Sequence, residues 1–223
     1  FVVGHPKFDF LDTNLELIFK KENTFIRNKF NNFVFITGHF PSSSTRVTDK
    51  WIMNASKNFL NNEKNLEKHM KSKLKFNNLR RKNYESLLIL TMKIAKENPD
   101  ITFIFRRHPM ENDEFLSKVF ADKPKNLKLI YKFSVTPWIY NCNIHLHSGC
   151  MSSLETIKLK KKLITYLPFY SKEFFENYKN FNPFFSKESH CLKFFKNKEK
   201  MKNKFYYKKM QNILFNLSKG NSC

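Results

Sequence analysis

From Phe33 onward the chain alternates short apolar runs with polar or amphipathic stretches. Phe33–Thr37 (FVFIT) is an apolar run of strand length that enters the polar stretch GHFPSSST, the pattern of a strand feeding a loop. In YESLLILTMKIAKEN, residues Leu87, Leu88, Thr91, Ile94 and Ala95 recur at helical spacing, and Pro99 ends the helix. ITFIF (Ile101–Phe105) is wholly apolar, as a strand covered on both faces should be, and it stops at RRHP. Next come a short acidic helix (ENDEFLSKVF), a strand (NLKLIY), a helix around TPWIYNC, a strand (NIHLH), a helix (SGCMSSLETIKL) and a strand (KLITYLP). Residues 46–83, dense in Lys and Asn, predict one irregular helix plus a loop. A long helix is expected around 197–218.

Strand–helix alternation with short connections forces right-handed crossovers and a parallel sheet covered on both faces. The fold class expected is α/β, a Rossmann-like doubly wound parallel sheet over residues 33–170. Residues 1–32 are expected to form a linker or leading helix, and 171–223 a basic, aromatic-rich helical tail. In open sheets of this kind ligands sit beyond the carboxyl ends of the strands. Three polar clusters fall there, GHFPSSS, RRHP and HSGCMSS, and are expected to converge.

Composition alters this picture little. The chain of 223 residues is 41% hydrophobic, enough for a sizeable core. It opens on FVVGHPKFDF, without Met, which reads as the middle of a longer protein. No apolar stretch is long enough to span a bilayer. The net charge of +22 invites a nucleic-acid reading, but only six of the 41 basic residues are Arg, the type that base-edge and bidentate phosphate recognition favours. No nucleic-acid partner is expected. Residues 158–209 hold 15 Lys against four Glu, interleaved with Phe and Tyr. That is either a solvated face or one that rests against anionic lipid. The four cysteines form no CxxC and no zinc spacing; they are expected to be reduced thiols of a cytoplasmic protein.

The chemistry lies in the three clusters. His147-Ser148-Gly149-Cys150-Met151-Ser152-Ser153-Leu154-Glu155 reads as a strand, a glycine turn and a helix start whose N–H groups and dipole favour an anion. The hydroxyls of Ser148, Ser152 and Ser153 can add donors, and Glu155, about two turns into the helix and no nearer than the end of the first, can reach a ribose diol. Ordinary N-capping by Ser148 is the alternative. Arg106-Arg107-His108-Pro109 delivers two cations and an imidazole to the same edge. Alternation sends the two arginines to opposite faces, so one of them reaches a ligand; His108 can donate to a phosphate or act as an acid. The alternative is pairing with Glu111, Asp113 and Glu114. Gly38 and His39, with Ser42–Ser44, form a third candidate loop, or simply a turn. His145 and His147 share a strand face, but no third ligand follows, so satisfied core histidines are expected and no metal. Pro137-Trp138 reads as a helix start with a packing Trp. The DxD triplet that clamps a metal on sugar diphosphates does not occur.

An Asn-Pro helix end, an apolar strand into RRHP, a PWI helix, and a strand–Ser-Gly–helix with Ser152-Ser153 and Glu155 together resemble the C-terminal Rossmann-like domain of GT-B glycosyltransferases. More narrowly, His108-Pro109 and Ser152-Ser153 are similar to the HP and paired-Ser motifs of bacterial sialyl- and Kdo-transferases and of CDP-glycerol transferases. SGCMSSLE before KKLITYLPF resembles the nucleotide-binding segment of the peptidoglycan N-acetylglucosaminyltransferase, where the Glu binds ribose. Gly4-His5-Pro6-Lys7-Phe8-Asp9 resembles a domain-junction segment of surface-carbohydrate proteins. The resemblance implies a CMP- or UDP-linked sugar donor, a glycan or lipid-linked acceptor, no cofactor, and a catalytic base on an N-terminal domain outside these residues. It leaves open a CDP-glycerol- or ribitol-type glycerophosphotransferase and a sugar-nucleotide epimerase. A basic, non-catalytic binding protein is the reading outside enzymology.

Overall fold

Five of the apolar runs become strands of one sheet, and a sixth strand joins them. The computed structural model describes residues 9–38, 49–50, 53–54, 63–109, 111–181 and 183–202. The strands are β1 (Phe33–Thr37), β2 (Thr102–Arg106), β3 (Leu127–Ile130), β4 (Ile144–His147), β5 (Lys162–Tyr166) and β6 (Phe184–Phe185). They pair in parallel in the order β3-β2-β1-β4-β5-β6. The chain steps outward from β1 to β3, returns to the other side of β1 at β4, and steps outward again. This is the doubly wound order, with its crevice between the carboxyl ends of β1 and β4.

Period-two alternation along continuously apolar strands explains why both faces are covered. Val34, Ile36, Phe103, Phe105, Ile144, Leu146 and Ile164 point to one face. There they meet Leu87, Leu90 and Ile94 of α3 (Glu63–Glu97), Leu116 of α4 (Asp113–Val119), and Phe194 and Phe195 of α8 (Glu188–Lys196). Phe33, Phe35 and Ile104 point the other way, onto Ile26 of α2 (Lys20–Lys29) and Trp138 of α5 (Val135–Asn141). Trp138 is a packing residue, as expected. Its ring stacks on Phe35 at 6.2 Å, and its indole N–H donates to the Lys132 carbonyl at 2.7 Å, which satisfies the one polar atom it buries. On the same side α6 (Ser152–Lys158) covers β5 through Ile157 and Leu163, and α1 (Leu15–Ile18) adds Leu15.

Two expectations are corrected. The break expected before Tyr84 is absent, because α3 runs 35 residues from Glu63 to Glu97. No Gly or Pro interrupts that span, and Leu66, Met70 and Leu74 continue its four-residue spacing. Residues 171–202, expected as part of a tail, belong to the sheet and core. After α7 (Lys172–Phe175) and a 3-10 turn (Glu176–Asn180), β6 pairs with Thr165 and Tyr166 of β5, and Cys191, Phe194 and Phe195 are core. The helix expected around 197–218 begins as α9 (Lys198–Lys202), separated from α8 by Asn197; positions past Lys202 lie outside the described residues. Among the described residues no helix is long and apolar enough to cross a membrane.

Candidate functional site

Thr37, the last residue of β1, is in register with Arg106 of β2 on one side and His147 of β4 on the other. Two strand spacings, about 10 Å, therefore separate the RRHP and HSGCMSS segments at their roots. Both leave the carboxyl edge of the sheet, on either side of the β1 exit. Gly38 makes that exit, and it has a packing reason to be glycine. A Cβ there would lie 2.3 Å from Tyr84 Cε2 and 3.1 Å from Glu111 Oε1. His39, Ser42–Ser44 and residues 4–8 lie outside the described residues.

Arg106 and Arg107 diverge, as alternation requires. Arg106 donates from Nε and Nη2 to the Phe133 carbonyl at 3.3 and 2.7 Å, fastening a residue whose φ of 68° is rare outside glycine. Burial lowers the pKa of Arg106, while Tyr131, Cys150, Glu111 and Glu155 act on it in the opposite sense. Arg107 turns away. It pairs with Asp113 at 3.0 Å, lies 3.9 Å from the Tyr131 ring centroid, and donates to the Glu111 carbonyl at 3.3 Å. That is the pairing role given above as the alternative. His108 is half-buried, and burial, then the charges of Arg106 and Arg80, hold its pKa below the ordinary value. At neutral pH it is an imidazole that can donate or accept, not a fixed cation.

Glu111 was weighed only as a pairing carboxylate, yet it organises this loop. Its Oε2 accepts from the His108 backbone N–H at 2.5 Å, and its own N–H donates to the His108 carbonyl at 3.0 Å. It is 1% exposed. Burial pushes its pKa up to about 7, against the Tyr84 hydroxyl, the His108 N–H and the charges of Arg107 and Arg106.

On the other side of the crevice, Gly149 takes a φ of 75°, the left-handed turn that glycine permits. Capping by Ser148 is not observed. The N-cap of α6 is Met151, with no side-chain cap, and the buried Ser148 Oγ makes no hydrogen bond. The paired serines face inward. Ser153 Oγ donates to the Cys150 carbonyl at 2.6 Å, and Ser152 Oγ lies 3.3 Å from Thr37 Oγ1 and 3.0 Å from Cys150 Sγ. Glu155 falls at the end of the first turn, is 3% exposed, and accepts from Thr136 Oγ1 at 2.9 Å. His145 and His147 are satisfied core histidines. His145 lies 2.7 Å from Thr37 Oγ1 and 2.5 Å from Thr156 Oγ1; His147 lies 2.8 Å from Thr165 Oγ1 and accepts from the Cys150 N–H at 3.2 Å. Among the described residues no cluster of three or more His, Cys, Asp or Glu could hold a metal.

Two further side chains reach this edge from unexpected elements. Arg80 comes from the middle of α3. Burial lowers its pKa to about 10, while Tyr178 and Cys150 act to raise it. Tyr178, from the 3-10 turn, donates to the Gly149 carbonyl at 3.0 Å. The four-residue spacing of Phe76, Arg80 and Tyr84 is the signal that could have found Arg80. It is visible only when α3 is read as one helix.

Chemically, the edge combines two guanidiniums, a neutral imidazole, a carboxyl that is protonated near neutrality, and the Thr136-anchored Glu155. Arg106 acts electrostatically on His108 and also, across the β1 exit, on Cys150 and Glu155. The two segments leave one carboxyl edge, on either side of the β1 exit.

No protein-family model matches the chain, and no curated protein matches it. Among solved structures it is similar to UDP-GlcNAc 2-epimerase from Methanocaldococcus jannaschii in complex with UDP-GlcNAc and UDP, at 19% identity and a TM-score of 0.42. The similarity covers 74% of this chain but only 38% of that one.

Proposed function

We propose that this chain supplies the nucleotide-binding half of a glycosyltransferase, which moves a glycosyl group from a CMP- or UDP-linked sugar to a surface polysaccharide or lipopolysaccharide acceptor. The observation that carries the reading is that Thr37 of β1 is in register with both Arg106 of β2 and His147 of β4, so that the RRHP and HSGCMSS segments leave one carboxyl edge at the switch-point crevice of a doubly wound sheet. In this reading the donor's phosphate rests against Arg106 and His108, and the Thr136-anchored carboxylate of Glu155 orients the ribose. When the glycosidic C–O bond breaks, negative charge grows on the leaving phosphate, and donors already fixed around it stabilise that charge. A neutral His108 can donate to that oxygen. The base that activates the acceptor comes from a facing domain, so the chain alone binds without turnover. Residues 1–32 serve as the link to that domain, and the lysines of the stretch 158–209 meet anionic lipid at the cytoplasmic side of the membrane.

A thermal-shift screen against CMP, CDP, UDP and GDP tests the reading. A nucleotide at a hundred times its Kd adds about 2.7 kcal/mol, a rise of roughly 5–10 °C for a chain of this size. No shift with any of the four contradicts it.

One observation favours a second reading, a sugar-nucleotide epimerase. Glu111 is a carboxyl titrating near 7 beside His108, the kind of group that moves a proton at neutral pH. Epimer formation from a nucleotide sugar in the absence of any acceptor would select it.

A further inference from the structure

The sheet lets go of the chain just before His108. Arg107, one residue past β2, still donates its backbone N–H to the Ile130 carbonyl at 3.3 Å. Pro109, one residue after His108, has no N–H to give. Between them, both main-chain groups of His108 are taken by Glu111. Its Oε2 accepts from the His108 N–H at 2.5 Å, and its own N–H donates to the His108 carbonyl at 3.0 Å. A backbone bonded on both sides leaves the imidazole only its side-chain torsions. The place of the ring follows from the place of Glu111.

Glu111 is itself anchored from several elements. The Arg107 side chain donates to its carbonyl at 3.3 Å. The next residue, Asn112, caps α4 by accepting from the N–H groups of Glu114 and Phe115, and Leu116 of that helix is core. The carboxyl is packed against the β1 exit. Its Oε1 lies 3.1 Å from the point where a Gly38 Cβ would stand, and Tyr84 Cε2 of α3 lies 2.3 Å from that same point. The side chain thus spans from the β1 exit to the His108 main chain. Filling that space would need only a leucine, and burying a carboxyl is costly. What the carboxyl supplies and leucine does not is the acceptor for the His108 N–H.

We infer that Glu111 is a positioning residue of the anion site, whose carboxyl holds the main chain of His108 and so fixes the imidazole against the bound phosphate. The inference rests on the proposed nucleotide-binding role and adds to it a residue that acts through His108. It also sets the ring relative to the β1 exit, from which the HSGCMSS segment is placed through the register of Thr37 with His147.

Calorimetric titration of the full chain with UDP tests it. Glu111→Leu removes the acceptor and should weaken UDP about tenfold, as much as the loss of the imidazole's own hydrogen bond. Glu111→Asp draws the acceptor back by one methylene and should weaken it in part. Glu111→Gln keeps an acceptor oxygen at the same reach and should retain most of the affinity. In the His108→Ala chain, Glu111→Leu should cost nothing more, because two changes on one path do not add. Hydrogen exchange gives a reading without any variant: the His108 amide of the unaltered chain should be protected before ligand is present. A lower melting temperature with unchanged UDP affinity in the Leu and Asp variants would make Glu111 merely structural and overturn the inference. So would a Glu111→Leu loss that adds in full to that of His108→Ala. An unprotected His108 amide overturns it even if neither variant can be folded. If UDP does not bind the unaltered chain, the nucleotide reading itself fails and the inference falls with it; affinity that depends on His108 but not on Glu111 leaves that reading standing.

Discussion

The hydroxyl of Thr37 lies 2.7 Å from Nε2 of His145, and that contact orders the protons beneath the crevice. Thr156 gives its hydroxyl proton to the Ser152 carbonyl at 2.9 Å, so its oxygen accepts from His145 Nδ1. Nε2 of the neutral ring is then the acceptor, and Thr37 is the donor. The Thr37 oxygen in turn accepts from Ser152 at 3.3 Å, and Ser152 is met by the Cys150 thiol at 3.0 Å. The paired-serine segment is thereby tied to the core of β1 and β4. Replacing Thr37 with Val leaves a buried ring nitrogen unsatisfied, at a cost of about 1–3 kcal/mol. Thermal melting should fall by several degrees in Thr37→Val and be nearly restored in Thr37→Ser. A Val variant as stable as the parent would exclude this proton order.

The same ring sets the acid limb of stability. Burial lowers the His145 pKa from 6.5 to about 3, so below pH 6.5 the unfolded chain binds a proton that the folded chain refuses. Stability is full above pH 6.5 and falls as pH drops, by about 1.4 kcal/mol per unit from this group. In denaturant unfolding between pH 4 and 7 the stability difference between the parent and His145→Gln should show that slope, because the opposite contribution of Glu111 is common to both chains.

Glu111 works in the opposite direction. Its folded pKa of about 7 exceeds the ordinary 4.5, so its contribution is full below pH 4.5 and is lost as pH rises through 7. Glu111→Gln keeps an acceptor for the His108 N–H and removes the ionisation. The variant should gain roughly 1–3 kcal/mol on the parent at pH 8 and nothing at pH 4.5. Equal stability at both pH values would show that the carboxyl is not held protonated.

The skeleton of this fold was legible because its strands are buried on both faces. FVFIT and ITFIF hold no polar residue but one Thr each, and such runs have one sensible reading. The carboxyl-edge rule then placed Arg106, His108, Ser148 and Glu155 without any contact information, and the pairing of His145 and His147 with Thr hydroxyls agrees with the satisfied-core expectation. Arg80 and Tyr84 were hidden because Lys and Asn mask the helical period of residues 63–83. Glu111 and Tyr178 were hidden for another reason. A carboxyl three residues past His108 or a tyrosine in an aromatic-rich stretch gains its role only from burial and from a partner far away in sequence. β6 has two residues, too few for any periodicity.

Gly38 offers a test of packing at the crevice. The added Cβ of Gly38→Ala meets Tyr84 Cε2 at 2.3 Å, an overlap that a ring packed in the core relieves only by shifting. The expected loss is about 1–3 kcal/mol, read by urea unfolding. Tyr84→Leu in the same chain should recover part of the loss that Gly38→Ala causes. An Ala variant of full stability would show that Tyr84 has room to move.

The central claim is that His108 on one side of the β1 exit and Cys150–Glu155 on the other border a single anion site. Calorimetric titration of UDP into the His108→Ala chain measures it directly. The account predicts a Kd about tenfold higher than in the parent, the effect of one lost hydrogen bond to a charged group, with the melting temperature little changed. An unchanged Kd in a variant that folds normally would contradict it.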